Sequence, residues 1–368
     1  MHIAFFGSSL VSAYWNGAAT YYRGILGAMA RRGHRITFYE PDAFDRQNHR
    51  DIDPPPWANV VVYEPSEQDA ARMLDRAAGA DVVVKASGVG VLDGWLEANV
   101  PTLKSDRRKV VFWDVDAPAT LDSIHQNADD LLGPLIPTYD MVLTYGGGAP
   151  VVKAYRALGA RLCVPIYNAL EPSTHHPVPP ERAFGCDLGF LGNRLPDREA
   201  RVEEFFLRPA AILPKQSFLI GGSGWEDKDM PPNVSRLGHV YTYQHNAFNV
   251  SARCVLNITR DSMARTGFSP PTRVFEAAGA GACLITDAWE GIGRFLQPGT
   301  EVLVAEDGEQ VARLMRDLTP DKARGIGLAA RKRLLAEHTY DHRAADVEAL
   351  LTGNAKAAAS ATVREVVE

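Results

Sequence analysis

The sequence predicts a doubly wound α/β protein built from two domains, and three observations carry that prediction. Short apolar strands alternate with stretches of helical periodicity along nearly the whole chain, an order that gives parallel strands joined by right-handed crossovers. One aperiodic segment, 171–182, interrupts that rhythm with four prolines, and the alternation restarts after it. The 368 residues are 46% hydrophobic and 23% charged, a globular balance with enough chain for two cores.

Taken in order, residues 2–6 form an apolar strand closed by Gly7, Ser8 and Ser9, and Tyr21, Ile25, Leu26 and Met29 then share one helical face. Further strands are expected at 35–39, 81–85, 109–113, 141–144 and 161–164. Leu121, Ile124, Ala128 and Leu131 mark a helix between them. Beyond the proline-rich segment the pattern predicts strands at 187–191, 218–220, 254–258, 283–286 and 301–304, with a helix over 198–206. The expected organisation is therefore a domain at 1–170, a linker at 171–182, a second domain at 183–337, a helix at 338–352 returning to the first domain, and a flexible tail at 353–368. Two such halves would face each other across a cleft at the C-terminal edges of their sheets, where ligands of this fold class bind.

Lys and Arg number 39 against 45 Asp and Glu, a net charge of −6 that argues against a non-specific nucleic-acid binder. The four cysteines are dispersed, with no C-x-x-C pair or zinc spacing, so a reducing, cytoplasmic setting without a bound metal is expected. The N-terminus lacks a basic leader, and no run of 18 apolar residues predicts a membrane span; peripheral membrane contact and oligomeric state stay open.

The densest signal is GFSPPTRVFEAAGAGACLITD, 267–287. Ser269 suits an N-cap and Pro270 a first helical position, which predicts a helix from there through Glu276 to about Ala280. Such a terminus attracts phosphate, and because Pro270 and Pro271 lack N–H groups the amides of Thr272 and Arg273 and the Arg273 side chain would do the binding. The alternative is an ordinary solvated pair of Arg273 with Glu276.

Gly267, Ser269, Arg273, Phe275 and Glu276, continued by AAGAGACLITD and PGTEVLVAEDGEQVARLMRDL, resemble the donor domain of GT-B glycosyltransferases, specifically the CgeB-like family. EHTYDHR at 337–343 and, in the first half, VFWDVDAPATL and IPTYDMVLTYGGG extend the resemblance over most of the chain. The resemblance implies two Rossmann-like domains, an N-terminal half for the acceptor and a C-terminal half for a nucleoside-diphosphate sugar, with a UDP-sugar as the default co-substrate and no other cofactor. It assigns Glu276 to the ribose hydroxyls, which suits a carboxylate able to accept two hydrogen bonds. The acidic residue expected eight positions earlier is replaced by Phe268, a departure from the family pattern.

The same resemblance places the donor diphosphate near FLGNRLPDRE, 190–199, where Arg194 and Arg198 could grip phosphate oxygens. The alternative has them paired with Asp197, Glu199 or Glu203. Gly222, in LIGGSGW, ends another strand near the nucleotide, and the main chain around His239 and Val240 is expected to read the base. Gly7 and Ser8 would allow close backbone approach in the first domain, although such glycine patterns are as readily plain turns.

Asp114-Val115-Asp116 follows an apolar strand. Alternation would put both carboxylates on one side, where one could act as a general base, with His125 as a further candidate. The alternative is that Asp116 starts the helix at Pro118. A D-x-D motif can also hold a metal, but in this fold basic groups and helix ends stabilise the leaving diphosphate, so no metal is expected. The expected activity is metal-independent transfer of a hexosyl or related sugar to an unidentified glycan, small molecule or protein. A sugar-nucleotide epimerase of the same shape and a non-catalytic nucleotide-binding module are the alternatives.

Overall fold

The computed structural model describes residues 1–14, 16–127, 130–196 and 198–354, the Ser262 side chain apart. Ala128, Asp197 and all but the first two residues of the expected 353–368 tail lie outside the described residues. The chain forms two compact units, one comprising Met1–Asn168 with the described residues from Tyr340 on, the other Ala169–Thr339.

The first unit is a seven-stranded parallel sheet of β1 (His2–Phe6), β2 (Arg35–Pro41), β3 (Ala58–Tyr63), β4 (Val82–Ala86), β5 (Lys109–Asp114), β6 (Met141–Thr144) and β7 (Cys163–Pro165), in the order β3-β2-β1-β4-β5-β6-β7. Strand order reverses between β1 and β4, so the loops leaving those two strands flank a switch point. Ile3 to Phe6 and Val82 to Val84 are buried throughout, the continuous apolar runs of strands covered on both faces. The C-terminal Tyr340–Leu351 helix packs on the Ala19–Arg31 helix. Gly24 makes that contact possible, because a Cβ there would lie 2.1 Å from the Tyr340 ring.

The second unit is a six-stranded parallel sheet of β8 (Cys186–Leu191), β9 (Phe218–Gly221), β10 (Val234–Arg236), β11 (Ala252–Asn257), β12 (Leu284–Asp287) and β13 (Leu303–Ala305), in the order β10-β9-β8-β11-β12-β13. Its switch point lies between β8 and β11. Phe190, Phe206, Leu256, Ile285 and Met315 belong to its core.

Two strands escape the sequence reading, β3 and β10. Both are edge strands with mostly part-exposed residues, so neither carries the fully buried apolar run by which central strands are recognised. The expected helix at 198–206 is Glu199–Val202 followed by a π-turn at Glu203–Leu207 and a further helix, Arg208–Ile212. Pro209, which has no N–H to offer the ladder, sits just past the π-turn. The phosphate-binding candidate helix starts later than expected, at Thr272, with Pro271 rather than Ser269 in the N-cap position. A residue before proline is driven out of the α region, so the Pro270-Pro271 pair delays helix entry; Pro271 itself is extended, at φ −60° and ψ 150°. The segment expected to be a linker begins as an ordered turn, with the Thr174 and His175 amides donating to the Glu171 carbonyl. Among the described residues, no helix is long and apolar enough to cross a membrane.

Two glycines in the Pro320–Glu337 helix test the packing. A Cβ on Gly327 would lie 2.1 Å from the Gly281 carbonyl oxygen, a backbone atom that cannot swing aside, whereas one on Gly325 would meet nothing within 4 Å. Gly327→Ala is expected to destabilise by about 1–3 kcal/mol despite its better helix propensity, and Gly325→Ala to stabilise by up to about 1 kcal/mol. Urea unfolding of both variants checks the pair.

Candidate functional site

At the C-terminal edge of the second sheet, three loops are laced by their backbones. The Gly192 amide donates to Gly221 O at 2.8 Å, the Arg194 amide to Ser223 O at 2.9 Å, and the Gly222 amide to Gly238 O at 2.6 Å. Only glycine fits at 222: φ is +124°, and a Cβ would lie 2.3 Å from Gly192 O. The lacing fixes the turn after β8, the turn after β9 and the segment carrying His239 and Val240. His239 is exposed and meets Tyr241 edge-on at 4.7 Å, Tyr241 stacks on Tyr243 at 5.8 Å, and Val240 is buried.

The Thr272–Gly279 helix approaches the same edge. Its Arg273 donates through Nη2 to Leu191 O, the last residue of β8, at 3.1 Å, and its Nη1 is buried without a hydrogen-bond partner among the described residues. Glu276, one turn on, lies 3.9 Å from that Nη1 and 4.0 Å from His175 Nε2. Among the described residues its carboxylate accepts no hydrogen bond. Burial alone would raise the Glu276 carboxyl, but Arg273, His175 and His245 together hold it below the usual carboxylate range. His245 opens the His245–Ser251 helix; burial pushes its imidazole down to about 4, against the opposing pull of Glu276.

His175 lies in the segment expected to be a linker, and it packs against the Thr272–Gly279 helix. Gly279 has no side chain, which lets Leu170 and His175 pack onto the helix: a Cβ there would lie 2.3 Å from Leu170 Cδ1 and 3.2 Å from His175 O. The connector is thereby seated over the face that carries Glu276. His245 was missed because a lone histidine in a short helix leaves no periodic or motif signal.

The two arginines after β8 differ. Arg194 is committed to the frame, bidentate to Glu199 at 2.7 and 2.8 Å and bonded to Asp227 at 2.9 Å. Glu199 is one of the partners the ion-pair alternative named; Asp227 is not. Arg198 donates to Asn193 O at 2.6 Å and lies over the Phe190 ring at 5.7 Å. Ser269 is buried, and Thr272 and Arg273 occupy the first turn of the helix, whose Val274 amide turns back to Pro271 O. Phe268 holds a left-handed backbone, φ 47°, unusual for a bulky residue, with its ring under Arg294 at 5.8 Å.

The first unit carries the other candidates. Ser8 is buried, its hydroxyl donating to Asn16 Oδ1 at 2.8 Å, and the Gly7 amide donates to Tyr39 O at 3.1 Å. The acidic pair does not share a side. Asp114 ends β5 fully buried, accepting from Ser87 at 2.7 Å, Thr120 at 3.0 Å, the Asp116 amide at 3.0 Å and the Tyr155 hydroxyl. Asp116 has left the strand, at φ −147° and ψ 56°, and stands exposed at the N-cap position of the Ala117–Gln126 helix. His125 is exposed in that helix's last turn, roughly 13 Å along the axis by the helical rise. The three are not gathered into one catalytic group. Among the described residues, no cluster of three or more His, Cys, Asp or Glu could hold a metal.

Residues 198–349 match the model of a family described as glycosyl transferase-like. A comparison with curated proteins by sequence gives no match. The whole chain is similar in structure to sucrose-phosphate synthase from Thermosynechococcus elongatus, with TM-score 0.68, 15% identity, 96% of this chain and 98% of that one covered. It is similar also to Anabaena HepE, solved with UDP-glucose, with TM-score 0.66, 12% identity and coverage of 96% and 100%. A third is the T4 phage protein BGT, solved with its UDP-glucose substrate, with TM-score 0.57, 11% identity and coverage of 97% and 99%. Two parallel-sheet units and these likenesses define a GT-B fold. The family match marks residues 198–349 as glycosyl transferase-like, on a chain whose fold is GT-B.

Two outcomes follow. Asp114→Ala, which strands the buried Tyr155 hydroxyl, is expected to lower stability by roughly 3 kcal/mol, and Asp116→Ala by less than about 1 kcal/mol, read by thermal unfolding. The His245 imidazole is depressed in the folded state, so the unfolded chain takes up its proton first: stability is complete above about pH 6.5 and is lost as pH falls toward 4. His245→Asn is expected to flatten that acid limb by up to about 3 kcal/mol, measured by urea unfolding at pH 7 and pH 4.5.

Proposed function

We propose that the chain transfers a sugar from a nucleoside-diphosphate sugar, a UDP-sugar first among them, to an acceptor hydroxyl without a metal, and that it is of the CgeB-like branch and works in the cytoplasm. The observation that carries the reading is Glu276, a carboxylate at the sheet's switch-point edge with no hydrogen-bond partner among the described residues, one helical turn from Arg273. A carboxylate so placed suits a ribose diol, and the guanidinium with the Thr272 and Arg273 amides suits the diphosphate. Arg198, the Gly222 turn and the His239–Val240 main chain complete the donor side; Arg194, held by Glu199 and Asp227, supports the turn. The structural relatives solved with UDP-glucose support this choice of donor.

In the reaction the acceptor oxygen bonds to the anomeric carbon while the bond from that carbon to the diphosphate oxygen breaks. The diphosphate leaves with the electron pair, and fixed positive groups lower the barrier by meeting its developing charge. The acceptor's proton goes to a base, for which Asp116, exposed where Asp114 is buried and fully bonded, is our candidate. Domain roles follow: the first unit takes the acceptor and the second the donor.

Calorimetry with UDP, ADP, GDP and the corresponding nucleotide sugars tests the reading. One diphosphate is expected to bind, with Arg273→Ala weakening it about a hundredfold through loss of a charged hydrogen-bonding partner, and Glu276→Gln weakening it about tenfold. Equal affinity in the wild type and both variants would overturn the site. Release of an isomeric sugar nucleotide without transfer would replace the transferase reading with an epimerase.

A further inference from the structure

Buried polar atoms without partners are uncommon, because each forfeits about 1–3 kcal/mol of solvation. Around Glu276 there are three. Among the described residues, Arg273 Nη1, His175 Nδ1 and His245 Nδ1 are buried without a hydrogen-bond partner, and each belongs to a side chain in electrostatic contact with the Glu276 carboxylate. They arrive from three separate segments: the connector, the start of the His245–Ser251 helix and the first turn of the Thr272–Gly279 helix. His175 is only 7% exposed. The connector is locked there by packing against Gly279, and its Thr174 carbonyl accepts from Asn246 Nδ2 at 2.8 Å, next to His245 in sequence.

A carboxylate that only accepts, surrounded by a guanidinium that only donates and two imidazoles that do either, is complementary to adjacent hydroxyls, each of which donates one hydrogen bond and accepts others. We propose that His175 and His245 complete the ribose-diol subsite around Glu276 and make the chain select a ribonucleoside diphosphate over its 2′-deoxy counterpart. The inference rests on the donor-site reading above. A site built to bond a hydroxyl discriminates strongly against a ligand lacking it, because its buried polar atoms are then left unpaired. The sequence gives no hint of this, since residues 175, 245 and 276 meet only in the fold.

The experiment is calorimetry of the full chain with the nucleoside diphosphate that binds most tightly and its 2′-deoxy form, UDP and 2′-deoxyuridine diphosphate being the first pair. Wild type is expected to favour the ribo form at least tenfold. His175→Phe and His245→Phe are each expected to weaken the ribo form about tenfold and the deoxy form by much less, so that the ratio collapses. Because Nδ1 is the unpartnered atom in both residues, asparagine, whose amide falls near Nδ1, is expected to keep part of the ratio and glutamine to lose it. A purely structural role would not separate these two amides. The exposed His176→Phe is the control with an unchanged ratio.

Thermal unfolding establishes that each variant is folded; where a phenylalanine variant is not, the asparagine and glutamine pair decides. A wild-type ratio retained in both histidine variants but lost in Glu276→Gln overturns this inference and leaves the donor site standing. A ratio unchanged in Glu276→Gln as well overturns the placement of the ribose at this carboxylate. Absence of binding by any nucleoside diphosphate overturns both.

Discussion

A carboxylate withdrawn from water at Glu276 sets the terms for the second unit. Burial opposes its charge, and with no hydrogen bond to stabilise it, the ionised form depends on Arg273, His175 and His245. Bringing those three groups to one point constrains the backbone around them. The connector packs onto the helix only because Gly279 lacks a side chain, and Arg273 is aimed by its bond to the last carbonyl of β8. The turn after β8 is in turn held by the tight approach of Gly222 to Gly192. The geometry of the strand ends and the charge of one side chain are a single requirement.

Other buried charges show why that requirement is informative. Asp114 has four donors, Glu40 is bonded by Ser9, the Leu10 amide and Gln47, and Lys85 is paired with Asp93 and Glu97. Asp287 accepts from Thr259 and Arg201. Each is closed within the protein, and closure of this kind fixes loops at the ends of strands. Glu276 is attracted but not bonded, and its neighbours carry orphan donors and acceptors. A network that is complete serves the fold; one whose members face each other with unspent capacity has room for a further group.

The fold was largely legible because its signals are local and repeated. Central strands such as β1 and β8 announce themselves by apolar runs, and the prolines of 171–182 mark where the alternation stops. The edge strands β3 and β10 were not legible, since their half-exposed residues lack that run. At the site, Thr272, Arg273 and Glu276 could be found because they sit in one contiguous motif whose chemistry follows from a helix terminus. The entry to that helix was misjudged by two residues, because the Pro270-Pro271 constraint outweighs the capping preference of Ser269. His175 and His245 were illegible in principle: 101 and 31 residues from Glu276 in sequence, they become its neighbours only in the fold, where the connector packs onto the Thr272–Gly279 helix.

The same contrast bears on how binding energy is divided in the proposed reaction. Ribose hydroxyls lie away from the bond that breaks, so contacts with them are of equal strength before and during transfer and act on affinity alone. The diphosphate gains charge as it leaves, so Arg273 and the amides of the helix terminus interact more strongly in the transition state. In the proposed reaction one short helix thus joins two kinds of contact, Glu276 to the nucleotide and Arg273 to the developing charge, separated by a single turn. On the proposed reading, the close packing at Gly279 and Gly222 has a chemical consequence, because a diol held by three segments would deliver the diphosphate to the helix terminus already positioned.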